Sequence, residues 1–197
     1  MKMCHWPPVS LTCGVFSLKT PDFATVVKQT MALKPDVVYM AGLAKDMGPL
    51  LPALKAAGYS GALYASQGFF DPLTLQKYAT AAEGLTISCS AVPLALAPSD
   101  FRIKQDYERK HGTLTPLAAY AYGAAQIAIA TVRRTNAADR IAVERALQLV
   151  TTFNTMVGNI SFQNDGDPQL PNVYYYTVKN GAWSYVRAAH PTDFILK

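Results

Sequence analysis

The first half of the chain alternates short apolar runs with segments of helical periodicity. Residues 37–41 form a continuous apolar run without alternation, which is typical of a strand buried on both faces of a parallel sheet. Residues 9–13, 62–65 and 85–89 predict further strands. The segments that separate strands 37–41, 62–65 and 85–89 have helical spacing and short connections. The pattern therefore predicts an α/β fold, a parallel sheet with flanking helices.

Three predicted helices accompany these strands, and each begins with a polar residue that can cap it. The caps are Thr20 (with Pro21 at the first helical position), Asp46 and Asp71. The second helix is expected over 47–57 and ends at Gly58. Pro52 lies inside it, where a proline removes one backbone hydrogen bond.

The second half of the chain is helical and then returns to strands. Residues 92–98 contain two prolines and predict a connector, and helices are expected over 99–111, 116–135 and 139–150, with Ser99 and Asp139 as caps. The middle helix is almost entirely Ala, Tyr, Ile and Gly between 117 and 132, so we expect it to be buried on most sides. The last helix is expected to face inward with Ile141, Val143, Ala146, Leu147 and Val150. Residues 157–162 predict a strand, and 173–178 and 183–186, joined by Asn180-Gly181, predict a hairpin.

Composition and charge exclude several classes of function. The chain carries a net charge of +5, but Lys and Arg are mixed with acids, so nucleic-acid binding is not predicted. Cys4, Cys13 and Cys89 have no CxxC spacing and predict neither a disulfide framework nor a metal site. No stretch reaches the ~18 apolar residues of a membrane span, and we expect any export signal to lie outside this sequence.

The candidate site lies in the loops that follow the predicted strands. Doubly wound sheets bind ligands beyond the carboxyl ends of their strands, so residues 42–46, 66–71 and 90–93 are expected to rim a site. These loops supply apolar contact and neutral hydrogen-bonding groups, which suits holding a small solute rather than transforming it. The candidate ligand-binding residues are Leu43, Ala44, Ser66, Gln67, Gly68 and Phe69.

No catalytic constellation is predicted. The chain lacks both GxGxxG and the P-loop pattern, so no cofactor is expected. Residues 64–68 half match the GxSxG nucleophile elbow around Ser66, but the first glycine is missing. His111 and His190 lie outside these loops and offer no general base to Ser66. An α/β hydrolase is therefore an alternative only.

A series of short matches, in order along the chain, resembles a known family. These matches are Asp22-Phe23, Lys34-Pro35-Asp36-Val37-Val38-Tyr39, Ala41-Gly42, Leu54-Lys55-Ala56-Ala57-Gly58, Ala82-Glu83-Gly84-Leu85, Ala119-Tyr120-Ala121-Tyr122, Gly158-Asn159-Ile160-Ser161-Phe162, Gly166-Asp167, Val178-Lys179 and Gly181-Ala182-Trp183. In their order and spacing they resemble the type I periplasmic binding proteins that bind branched-chain amino acids (leucine, isoleucine, valine) for ABC transporters.

The resemblance implies two α/β lobes with solute enclosed between them. Residues 1–91 would form most of lobe two, 92–98 a crossover, 99–162 the returning part of lobe one, 163–172 a second crossover, and 173–197 a hairpin and tail that rejoin lobe two. Full members of the family are longer, so the first half of lobe one is expected to be missing. The helices of lobe one would then expose apolar surface, which favours self-association or a partner chain.

The resemblance also implies a function, the solute-binding component of an ABC-type importer. Its partner would be the membrane permease, and its location periplasmic or otherwise extracytoplasmic. Members that bind amino acids often carry an acid where Gln67 stands and tyrosines near Leu43 and Ala44. Both a small amino acid and an apolar or aromatic carboxylate are therefore expected ligands. A ligand-sensing domain on the same fold is the alternative function.

Overall fold

The computed structural model describes residues 2–6, 9–14, 22–94, 101–136, 139–149, 152–169 and 173–190. In chain order its elements are β1 (Lys2–Trp6), β2 (Val9–Cys13), α1 (Phe23–Leu33), β3 (Val37–Met40), α2 (Ala44–Met47), α3 (Leu50–Ala56), β4 (Ala62–Ala65), a 3₁₀ turn (Gln67–Phe69), α4 (Pro72–Ala82), β5 (Thr86–Cys89), α5 (Phe101–His111), α6 (Pro116–Thr135), α7 (Arg140–Leu149), β6 (Phe153–Thr155), β7 (Gly158–Ile160), β8 (Val173–Lys179) and β9 (Ala182–Ala189). They fall into two compact units, the first drawn from Met1–Cys89 and Tyr176–Val186, the second from Ser90–Tyr175 and Arg187–Lys197.

A five-stranded sheet organises the first unit, in the order β3-β4-β5-β8-β9. β3 pairs with β4 and β4 with β5, both in parallel, which confirms the parallel sheet expected from the first half of the sequence. The carboxyl ends of these three strands, at Met40, Ala65 and Cys89, therefore share one edge. β2 has its predicted bounds but pairs antiparallel with β1, outside this sheet.

Helix α1 begins two residues later than expected. Its N-cap is Asp22, whose carboxylate accepts a hydrogen bond from the backbone N–H of Thr25 at 2.9 Å. Hydrogen bonds from Thr25 hold the pKa of Asp22 below its ordinary value. The predicted cap, Thr20, and Pro21 lie outside the described residues.

The single helix expected over 47–57 is wrong, because the chain forms two helices there. α2 contains Asp46, and α3 begins after Pro49. Pro52 is the third residue of α3, where the backbone N–H has no partner inside the helix, so the proline costs no hydrogen bond. Gly58 ends α3 at φ +82° as predicted, with its N–H donating to the Lys55 carbonyl at 3.0 Å.

The second unit packs α5, α6 and α7 with the antiparallel pair β6 and β7. Its core contains Val92, Leu114, Ala119, Met156 and Val157. Thus residues 92–94 of the predicted connector join this core at Val92, while 95–98 and Ser99 lie outside the described residues.

Helix α6 has its predicted bounds but not its predicted burial. Only one stripe of it is buried, and these residues are Ala119, Gly123, Ile127 and Thr131. The expectation of burial on most sides is wrong because nothing described covers the other faces; Ile129 is 53% exposed. α7 has no buried residue, and Ile141, predicted to face inward, is 58% exposed, while Val150 lies outside the described residues. None of the described helices is long and apolar enough to cross a membrane.

Candidate functional site

The segments that follow β3 and β4 lie against each other at the carboxyl edge of the first unit's sheet. The Ser66 hydroxyl donates a hydrogen bond to the Gly42 carbonyl at 2.9 Å and accepts one from the Gly42 N–H at 3.3 Å. One side chain thus satisfies both backbone groups of a residue 24 positions away. The two segments, 42–46 and 66–70, form a joined surface that we call the rim.

Gly68 makes this close approach sterically possible. A Cβ atom at this position would lie 2.2 Å from the Gly42 carbonyl oxygen and 2.9 Å from the Leu43 side chain. Gly68 is not among the glycines with positive φ, so its backbone conformation is open to other residues. The glycine is therefore required by the space between the two segments and not by its backbone angles.

Four of the six candidate residues present surface at the rim, and two do not. The Leu43 side chain is 50% exposed, Gln67 is exposed, and Ser66 and Gly68 are half-buried. Ala44 and Phe69 are 1% and 0% exposed, which corrects the expectation that they contribute contact area to a solute. Ala44 starts helix α2, and the Phe69 carbonyl accepts a hydrogen bond from the buried Thr74 hydroxyl at 2.7 Å. Both support the rim from beneath.

Neighbouring strands position the remaining rim side chains. The Sγ atom of Cys89, at the end of β5, lies 4.0 Å from the Gln67 Oε1 atom, within reach of a weak S–H hydrogen bond. Phe70 packs on Tyr176 of β8 and Trp183 of β9, with ring centroids 4.7 and 5.4 Å apart. Sequence reasoning missed these contacts, because the hairpin lies about 100 positions further along the chain. The run of three tyrosines in β8, residues 174–176, was the one available signal.

The charged groups of the rim are engaged in local structure. Lys45 and Asp46 form an ion pair with a nearest N–O distance of 2.7 Å. Next to the rim, Asp71 caps α4 by accepting a hydrogen bond from the Leu73 N–H at 2.7 Å. The other exposed rim residues, Leu43 and Gln67, are uncharged, so apart from the Lys45–Asp46 ion pair the surface offered to a solute is apolar and neutral.

The third predicted loop, 90–93, belongs to the second unit. Val92 is 8% exposed, and its N–H donates to the Tyr120 hydroxyl at 3.2 Å. Val92 of this loop therefore packs in the core of that unit.

The described side chains of the rim form no catalytic or metal-binding arrangement. The Ser66 hydroxyl is engaged by the Gly42 backbone, so it is not held as a nucleophile. Across the described ranges, no group of three or more His, Cys, Asp or Glu side chains could hold a metal ion. Leu43 and Phe70 supply apolar surface, while Gln67 supplies an amide.

Comparisons with known proteins give the family context of this geometry. The chain is similar to the Leu/Ile/Val-binding protein homolog 1 of Brucella suis, with 21% identity over 82% of this chain and 43% of that protein. It is similar in fold to the leucine-binding protein LivK of Thermotoga maritima, at 23% identity and a TM-score of 0.79, over 88% of this chain and 50% of that one. It is also similar in fold to a solute-binding protein of R. palustris in complex with benzoate, at 19% identity and a TM-score of 0.71, over 86% of this chain and 47% of that one.

The chain spans about half the length of these relatives. The order of strands and helices predicted from its sequence, with a central sheet and flanking helices, agrees with their fold. The family model described as periplasmic binding protein matches residues 14–182. Because that match covers most of the sequence, the chain belongs to the periplasmic binding protein family.

Proposed function

We propose that this chain binds a small apolar or aromatic carboxylate at the rim, as the solute-binding part of an ABC-type importer. The observation that carries the proposal is the pair of hydrogen bonds between Ser66 and Gly42, which joins the two segments of the rim into one surface. A surface fixed before binding loses little conformational freedom when a ligand arrives. The residues proposed to contact the ligand are Leu43, Ser66, Gln67 and Gly68.

The charge balance of the rim supports a carboxylate over an α-amino acid. A ligand ammonium needs an acceptor with negative charge, but the rim acid Asp46 and the neighbouring Asp71 are already engaged with Lys45 and with the start of α4. The Gln67 amide can donate hydrogen bonds to a carboxylate but cannot neutralise an ammonium. Relatives of the same fold include a leucine-binding protein and a benzoate complex, so the fold holds ligands of both kinds.

Membership of the family also suggests where the chain works and which proteins it contacts. As a periplasmic binding protein it would work outside the cytoplasm and deliver its solute to a membrane permease. The exposed apolar faces of α6 and α7 would contact a second copy of the chain. Family membership and the engaged Ser66 hydroxyl argue against the hydrolase alternative. A sensor on the same fold would share the rim but would bind no permease.

Thermal unfolding in the presence of benzoate and of leucine tests the proposed ligand. A ligand that binds only the folded state stabilises it by about 2.7 kcal/mol when the free ligand concentration is a hundred times Kd. This stabilisation raises the melting temperature. We expect benzoate to raise it and leucine to leave it unchanged. A shift with leucine alone would contradict the carboxylate assignment.

The variant Gln67→Glu makes this test specific to the rim. It places a negative charge where a carboxylate ligand would bind, so we expect the benzoate shift to disappear. Gln76→Glu is the matched control, because it adds the same charge at an exposed position of α4. Equal effects of the two variants would show that the ligand binds elsewhere.

A further inference from the structure

The turn between β8 and β9 carries the single Asn-Gly pair of the sequence, Asn180-Gly181. Both residues are exposed, and both have positive φ, +54° and +70°. In an Asn-Gly pair the backbone nitrogen reaches the preceding side-chain amide with little hindrance, because glycine places no Cβ beside the reacting nitrogen. The pair is therefore a candidate site of spontaneous deamidation, a modification that ligand binding at the rim does not involve.

Deamidation would convert Asn180 through a cyclic intermediate. The Gly181 nitrogen attacks the Asn180 Cγ atom and forms a new C–N bond, and the side-chain nitrogen leaves as ammonia with the proton that the Gly181 nitrogen loses. Water then opens the succinimide ring at either carbonyl, which gives aspartate or isoaspartate. Because the nucleophile is the deprotonated amide nitrogen, any acceptor that holds the Gly181 N–H in place slows the first step.

A carboxylate holds that N–H in this structure. Glu83 accepts hydrogen bonds from the backbone N–H groups of Asn180 and Gly181, at 2.9 and 3.2 Å, one on each carboxylate oxygen. Helix α4 ends at Glu83, and the next residue is paired with β8, because the Gly84 N–H donates to the Val178 carbonyl at 3.0 Å. This pairing places the Glu83 carboxylate beside a turn that lies 97 positions further along the chain.

We propose that Glu83 protects Asn180 from deamidation. Two effects of the carboxylate act in the same direction. Its charge-assisted hydrogen bonds keep the Gly181 nitrogen protonated and fix the turn. Its negative charge also opposes the formation of an amide anion beside it, because like charges at this distance repel each other. A carboxylate is too weak a base to remove an amide proton, so Glu83 does not promote the attack.

Peptide mass spectrometry of the folded chain, sampled during incubation at neutral pH, tests the proposal. The fraction of the Asn180 peptide that has become aspartate or isoaspartate gives the rate of deamidation. We expect Glu83→Ala to raise this rate by roughly 5–30-fold, the factor by which the loss of one or two such hydrogen bonds shifts a conformational equilibrium. Glu83→Gln keeps an acceptor but loses the charge, so its rate should lie between those of the wild type and Glu83→Ala.

Two controls separate protection by Glu83 from a general loss of stability. Asp22→Ala removes the cap of α1 in the same unit and should leave the deamidation rate of Asn180 unchanged. In urea-unfolded chains Glu83 no longer contacts the turn, so the wild type and Glu83→Ala should deamidate at equal rates. A folded Glu83→Ala chain that deamidates no faster than the wild type would overturn the proposal. An equal acceleration in Asp22→Ala, or a difference that persists in urea, would overturn it as well.

Discussion

Replacing Gly68 with alanine should separate the two segments of the rim. The added Cβ would lie 2.2 Å from the Gly42 carbonyl oxygen, about 0.8 Å closer than the 3.0 Å that real Cβ atoms respect. Relieving that clash moves the segments apart and takes the 2.9 Å bond from Ser66 to Gly42 beyond hydrogen-bond range. Overpacking costs about 1–3 kcal/mol and each lost hydrogen bond about 1 kcal/mol, so we expect a destabilisation of about 2–4 kcal/mol.

Thermal denaturation of matched variants measures this cost. For a chain of this size the loss corresponds to a decrease of roughly 5–15 °C in melting temperature. Ser66→Ala removes the hydrogen bonds without the clash and should cost about 1–2 kcal/mol. Gly123→Ala is the control, because its Cβ would meet Thr155 and Val157 at 3.5 Å, an ordinary contact. A Gly68→Ala protein as stable as the wild type would refute the steric argument.

Two further predictions concern local structure in the first unit. The Glu83 carboxylate accepts hydrogen bonds from the backbone N–H groups of Asn180 and Gly181 at 2.9 and 3.2 Å. Glu83→Ala removes this acceptor and should lower the free energy of unfolding, measured by urea denaturation, by about 1 kcal/mol. Glu83→Gln should have an intermediate effect. The lowered pKa of Asp22, caused by hydrogen bonds from Thr25, stabilises the folded chain above pH 3.8, and this contribution is lost as pH falls through the folded value. Asp22→Asn should remove that pH dependence in acid titrations of stability.

Features determined by neighbouring residues could be predicted from the sequence. Asp71 caps α4, Gly58 ends α3, and Asn180 and Gly181 form the hairpin turn, both with positive φ. Each depends on side-chain and backbone preferences within a few positions, which hold before any tertiary packing forms. The parallel sheet followed for the same reason, because continuous apolar runs and short helical connections are properties of local sequence.

Features that depend on distant packing could not be predicted. The broad apolar surface of α6 indicated burial, yet Ile129 is exposed because the described residues cover only one stripe of the helix. Ala44 and Phe69 lie in predicted loops but are buried. The loops 42–46 and 66–71 were expected to rim one site, but the hydrogen bonds by which Ser66 joins Gly42 depend on how the two loops pack after the strands have paired.

An NMR titration of the amide resonances with benzoate tests the rim most directly. Binding at the rim predicts that the amides of Leu43, Gln67 and Gly68 shift together, along one saturable curve, while those of helix α6 stay unchanged. Shifts confined to other residues, or no saturable shift at any amide, would contradict the assignment of these two segments as the place where a solute is held.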